Sequence, residues 1–142
     1  MKDDAIERVC ERLVLDFAHF SDSQDYESLA NLFASNGTMV RPSGDLLVGR
    51  TAIILSYRAR PAERITRHVC TNIRIIVESS DRAHGLTYAV VYSANADQSP
   101  EAHFGVKADP RHLVGEFEDE FVRTQEGWRI ASRKARFVMH TQ

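Results

Sequence analysis

The sequence predicts an α+β domain in which three N-terminal helices pack in a curved, mixed but mainly antiparallel sheet that encloses a cavity. Three observations predict it. Apolar residues recur at helical spacing near the N-terminus, cap and turn residues cut the next stretch into short elements, and long strand-like runs separated by polar turns fill the chain after His68. The 142 residues, 43% apolar and 27% charged, suffice for one globular domain with a real core. No repeat, low-complexity tract or linker divides them, so residues 1–142 read as a single domain.

Each element follows from local pattern. Ile6, Val9, Cys10, Leu13, Val14 and Phe17 fall at i, i+3, i+4, i+7, i+8 and i+11, the apolar stripe of a helix that begins after Asp3 or Asp4 and runs toward Phe20. Ser21-Asp22-Ser23-Gln24 interrupts the stripe and places Asp22 in a tight turn. Asp25 then caps a second short helix carrying Tyr26, Leu29, Leu32 and Phe33. Turn clusters at Asn36-Gly37 and at Pro42 to Asp45 bracket Thr38 to Arg41, which with Leu46 to Val48 predicts a small hairpin before Gly49. A third helix is expected from about Thr51 to Arg58, ending before Pro61. Strands are expected over Thr71 to Val77, His84 to Ala94, His112 to Thr124 and Trp128 to about Met139, with polar turns at Ser79-Ser80-Asp81 and Gln125-Glu126-Gly127. Period-two alternation turns Phe117, Asp119 and Phe121 inward and Glu116, Glu118 and Glu120 toward solvent, leaving Asp119 an acid on an apolar face. The polar stretch from Asn95 to Arg111 reads as a lid or as an irregular extension at the rim of the sheet.

Composition narrows the partners. A formal charge of −2, with 18 basic residues scattered among 20 acidic ones, gives no electrostatic footprint for nucleic acid or an anionic membrane. There is no signal-peptide pattern and no apolar run of the roughly 20 residues that a membrane span needs, so a cytoplasmic protein is expected. Cys10 and Cys70 lie in different elements without metal-ligand spacing and read as reduced, packed thiols.

The stretch from Arg67 to Ile75 places the imidazole of His68 at the mouth of an apolar strand, and Asp22 lies in a turn from which a fold could bring its carboxylate against that ring. A carboxylate so placed fixes the imidazole's tautomer and orientation and stabilises the imidazolium formed when the ring takes a proton. Elimination, dehydration or isomerisation would follow, with no metal required. Taken singly, each residue reads as structural: His68 bonded to a backbone carbonyl, Asp22 capping a helix. Tyr88 and Tyr92 share one face of a strand and could offer a phenolic hydroxyl to a substrate carbonyl, although such pairs more often pack. His19, His84, His103, His112 and His140 show no ligand spacing, and Arg58, Arg60 and Arg64 around Pro61 read as a solvated basic loop.

These residues carry a resemblance. The turn from Phe20 to Tyr26 leading to Leu29-Ala30-Asn31-Leu32-Phe33, the Gly49-Arg50-Thr51 helix start, His68-Val69-Cys70-Thr71-Asn72, Asp119-Glu120-Phe121-Val122-Arg123 and Gly127-Trp128-Arg129-Ile130 resemble the SnoaL-like branch of the nuclear transport factor 2-like superfamily over nearly the whole chain. The resemblance implies the cone of the cystatin-like fold. Within the family the pattern is similar to that of scytalone dehydratase and hexachlorocyclohexane dehydrochlorinase, whose turn Asp and strand His form a catalytic dyad, which implies that role for Asp22 and His68. Scytalone dehydratase has a tyrosine where this chain has Ser21 and a second histidine near the position of Ser93, so its particular dehydration is not implied. Asp119 could serve as a second acid, as in the ketosteroid isomerase branch, while the family-like reading pairs it with Arg133 in an ion pair.

Two function classes follow. The first is a cofactor-independent lyase or isomerase acting on a small apolar cyclic molecule, with His68 as base, Asp22 orienting it, and Tyr88, Tyr92, Asp119 and Arg133 as candidate substrate-binding residues. The second is a non-catalytic ligand-binding or oligomerisation module, such as the β subunit of ring-hydroxylating dioxygenases. Both imply a homodimer or homotrimer formed over the outer face of the sheet near Val122.

Overall fold

The computed structural model describes residues 2–142. Helix α1 spans Asp3–Asp22 and begins with Asp3 and Asp4 in its first turn, where carboxylates complement the positive end of the helix dipole. Its buried face is the apolar stripe, Ile6, Cys10, Leu13, Val14 and Phe17, continued by Ala18 and Ser21. The helix runs two residues beyond Phe20, so Asp22 is its last residue and not part of the turn, which is made by Ser23 and by Gln24 at a φ of 60°. Asp25 accepts a bond from the Ser28 amide at 3.2 Å and opens helix α2, Tyr26–Asn31. Phe33 belongs to the next strand, not to this helix.

Strand β1, Phe33–Val40, and the short β2, Leu46–Val48, form the small hairpin, followed by helix α3, Arg50–Arg58. Four long strands complete the chain: β3 Arg64–Val77, β4 Arg82–Asn95, β5 Leu113–Thr124 and β6 Gly127–His140. They form one six-stranded sheet in the order β2-β1-β6-β5-β4-β3. Only β1 and β6 are parallel; every other neighbouring pair is antiparallel. The β5–β6 turn rests on Gly127, whose φ of 104° lies in the region open to glycine at low cost.

Strand β3 begins seven residues before the expected Thr71, so His68 lies inside a strand and not at its mouth. Polarity hides this start: Arg64, Thr66, Arg67 and His68 break the apolar alternation, while continuous pairing with β4 holds them in the strand. The register against β4 slips between Thr71 and Arg74, with Asn72 at a φ of 52°. This bulge adds one residue to the strand and reverses its parity. Thr66, His68 and Cys70 therefore share the concave face with Ile73, Ile75 and Val77, the bend letting one strand serve the site at one end and the core at the other.

The core lies between α1 and the concave side of the sheet, around Phe17, Phe33, Ile53, Phe121 and Ile130, none more than 1% exposed. Burying each such side chain contributes roughly 1.5–3 kcal/mol. Both cysteines are free. Burial, helped by the charge of Asp119, pushes the Cys10 thiol up to about 12, and burial raises that of Cys70, so both are poor nucleophiles suited to packing.

The stretch 95–111 is an irregular extension tied down at its base. Asp109 donates its amide to the Ser93 carbonyl, and Arg64 binds the Asp109 carboxylate at 2.6 Å, which holds that carboxyl below the usual range. The convex side of the sheet carries exposed apolar residues, among them Val69, Ile76, Val138 and Met139. No helix among the described residues is long and apolar enough to cross a membrane.

Candidate active site

The concave face of β3 and the C-terminal end of α1 meet at Asp22. Its Oδ1 accepts from His68 Nδ1 at 2.6 Å and from the Thr66 hydroxyl at 2.8 Å, and its Oδ2 accepts from the His68 backbone amide at 2.9 Å. The fold thus brings together two residues 46 apart in sequence and seats the carboxylate on both backbone and side chain of the same strand segment. Only 14% of the Asp22 side chain and 11% of the His68 side chain remain exposed. Burial alone would raise the Asp22 carboxyl; the bonds from the His68 ring and amide, the charge of His68 and the Thr66 hydroxyl outweigh it and hold Asp22 below the usual carboxylate range. Because an ionised Asp22 only accepts, the proton of a neutral His68 ring lies on Nδ1, and Nε2 carries the free lone pair. No side chain among the described residues hydrogen-bonds that nitrogen.

His68 lines a cavity of about 140 Å³. Its walls are mostly apolar, with Phe17 and Phe117 on the α1 side and Met39, Ala89, Val91 and Leu113 around them. A cavity of about 150 Å³ accommodates a benzene ring, so a single six-membered ring with a small substituent matches the space. The pair thus leaves one ring nitrogen of His68 free at a ring-sized cavity.

The other candidate residues lie elsewhere. Asp119 and Arg133 meet each other and not the cavity: Arg133 Nε and Nη2 bind the two Asp119 oxygens at 2.7 and 2.8 Å, with Arg133 fully buried and Asp119 1% exposed. Carbon Cζ of Arg133 lies 4.2 Å from the Phe17 ring centre and 3.9 Å from that of Phe117, so the aromatic rings separate the guanidinium from the cavity they line. The remaining nitrogen, Nη1, is buried without a hydrogen-bond partner. The ion-pair reading describes this contact, and substrate binding does not. Tyr88 and Tyr92 are 45% and 40% exposed on the convex face, because strict alternation along β4 sends Thr87, Ala89, Val91 and Ser93 inward and the tyrosines outward. Neither phenol reaches the cavity; Tyr92 packs on His112, ring centres 4.4 Å apart.

The phenol that does line the cavity is Tyr57 of α3, 4% exposed, whose hydroxyl has only the Met39 sulfur as partner at 3.9 Å. Burial pushes its ionisation up despite the opposing charges of Arg41, Arg60 and Arg133, so it remains a neutral donor at neutral pH. Its position four residues after Ile53 on the inward stripe of α3 was the available signal. Thr66 was equally recoverable, two residues before His68 on the same strand face. Ser93 also lines the cavity, paired across the ladder with Thr66. The basic run around Pro61 divides: Arg58 pairs with Glu27, Arg64 with Asp109, and Arg60 turns onto the cavity wall, contrary to the expectation of a solvated loop.

Solved structures share this fold. A candidate scytalone dehydratase from Novosphingobium aromaticivorans is 22% identical, with a TM-score of 0.77, matching 94% of this chain and 85% of its own. A type 2 hexachlorocyclohexane dehydrochlorinase is 14% identical, with a TM-score of 0.76 over 96% of this chain and 91% of its own. A protein of unknown function with a cystatin-like fold from Nostoc punctiforme is 18% identical, with a TM-score of 0.71 over 91% and 88%. No functionally curated protein matches the chain in sequence. The SnoaL-like domain matches residues 5–134, nearly the full length, and the chain belongs to that family.

Proposed function

We propose that the protein is a cofactor-independent lyase or isomerase acting on a small, largely apolar cyclic molecule. The observation that carries this reading is the Asp22–His68 pair beside a largely apolar cavity, with His68 Nδ1 committed to the carboxylate and Nε2 free. In the first step Nε2 takes a proton from a ring carbon activated by a neighbouring carbonyl or leaving group. The C–H electron pair becomes a new double bond, either expelling the leaving group with its bonding electrons or passing onto the carbonyl oxygen as an enolate. The imidazolium, stabilised by ionised Asp22, then returns the proton to the departing group or to another ring carbon. Tyr57, a neutral phenol on the same wall, is placed to donate a hydrogen bond to a substrate oxygen. The apolar walls keep water from competing for the base and strengthen the electrostatic hold of Asp22.

Proton abstraction can be tested before the leaving group is known. A panel of cyclic ketones, hydroxylated rings and halogenated rings is incubated with the protein in D₂O, and deuterium incorporation or elimination is followed by NMR. The reading expects at least one compound to exchange or eliminate, and that activity to vanish in His68→Gln. Exchange that persists unchanged in His68→Gln contradicts it. The same reading includes a homodimer or homotrimer covering the convex apolar face, for which a monomer in light scattering at about 100 μM, a concentration at which micromolar association saturates, is the contrary result.

A further inference from the structure

The cavity wall is not electrically neutral. Arg41 and Arg60 line it, while Arg136 and Glu116 border it through their strands and turn their charges to the convex face. Arg136 is already compensated, by Glu118 at 3.1 Å and Glu116 at 3.8 Å. Arg41 and Arg60 have no carboxylate within ion-pair distance among the described residues. Both are only partly exposed, and both guanidinium carbons lie over the Tyr57 ring, at 4.8 and 5.5 Å from its centre. Arg41 is fixed there by a 2.7 Å bond from Nη1 to the Ser56 hydroxyl. Two unpaired like charges held against one aromatic ring at a partly exposed wall are incompletely solvated, a cost that a bound anion lowers.

We infer that the substrate is a monocyclic compound carrying one anionic oxygen group, a carboxylate or an ionised ring oxygen, seated on Arg41 and Arg60 with its ring in the apolar part of the cavity beside His68. This deepens the lyase or isomerase reading and rests on it. The two arginines supply planar, charge-assisted donors, and the cavity volume of about 140 Å³ restricts the rest of the molecule to about one ring. Arg41 and Arg60 are thus residues of substrate specificity. Anchoring the charge at the mouth fixes which ring carbon faces Nε2.

The test uses benzoate and its neutral isostere benzamide, with binding followed by calorimetry and by the His68 ring signals in NMR. Benzoate is expected to bind at least about tenfold tighter than benzamide, the usual worth of a charge-assisted hydrogen bond. Arg41→Gln and Arg60→Gln should each weaken benzoate about tenfold and leave benzamide within about twofold. The corresponding lysine variants retain part of the preference, and a native circular dichroism spectrum shows that each variant folds. Equal binding of the two probes, both perturbing His68, overturns the anion assignment while leaving the Asp22–His68 reading intact. A benzoate preference that survives in the double glutamine variant overturns it as well, by placing the anion on other groups. If neither probe disturbs His68, both the anion assignment and the cavity reading fail.

Discussion

Two pairs, each anchored on a carboxylate, resemble each other in the sequence and differ in the fold. Asp119–Arg133 is closed: both partners are buried, the contact is bidentate, and two phenylalanine rings stack around the guanidinium. Asp22–His68 is open: one ring nitrogen is held and the other is left beside a cavity. A bidentate pair walled off from the cavity supports the core, whereas a pair that leaves an atom free beside the cavity can act on a third molecule. The two lie in one concave space, with Phe17 and Phe117 dividing the floor from the site above it.

The largest effect should come from breaking the closed pair. Arg133→Leu strands the Asp119 carboxylate in the core and is expected to cost about 3–5 kcal/mol of stability in urea unfolding. The double variant Asp119→Leu with Arg133→Met should recover most of that loss, since isosteric apolar replacement of a buried pair is often neutral. An Arg133→Leu protein of native stability would show that the pair is not a structural element.

Breaking the open pair should move activity more than stability. His68→Gln is expected to lower the rate of the proposed proton transfer about 10²–10⁴-fold, as removal of a general base does, with thermal unfolding little altered. Asp22→Asn removes the charge that holds the imidazolium and permits the wrong ring tautomer. It should slow the same assay by a smaller factor, about tenfold or more. If both variants lose stability and neither loses activity, the two pairs are of the same kind.

A smaller effect follows from pH. The folded Asp22 carboxyl sits below its ordinary value of 3.8, so its contribution to stability is fully present above that value and is lost as pH falls through the lower, folded one. The melting temperature of the wild type should therefore fall more steeply than that of Asp22→Asn as the pH drops from about 4.5 to 2.5, around and below the usual carboxylate range. Parallel curves would contradict this. The smallest effect belongs to the convex face: Tyr88→Phe and Tyr92→Phe, removing hydroxyls that face away from the cavity, should change activity less than about twofold and stability by at most about 0.5 kcal/mol.

The difference between the two pairs also measures how far the sequence could be read. The stripe from Ile6 to Phe17, the β5 alternation that buries Asp119 and the antiparallel pairing of the C-terminal strands depend on short-range period and turn chemistry, and they appear in the structure as expected. Asp22 and His68 could be singled out together because the resemblance placed them in one site. Their geometry depended on features the pattern hid: a two-residue extension of α1, and a bulge at Asn72 that reverses the parity of β3. Tyr88 and Tyr92 show the converse. Their shared face was legible, and which face it was depended on how the whole sheet curves. Tyr57 and Arg60 lie three residues apart at the end of α3, and only the packing of α3 against β1 brings Arg41 to the same wall.

The most direct test of the open pair is the tautomer of His68, read from ¹⁵N-edited NMR of its ring in the wild type and in Asp22→Asn, with and without a ring-sized cavity ligand. The account predicts a neutral ring protonated on Nδ1 in the wild type, a shift away from that tautomer in Asp22→Asn, and a ligand-induced change at Nε2. A ring protonated on Nε2, indifferent to Asp22 and to every ligand, would contradict it and leave the pair without a function.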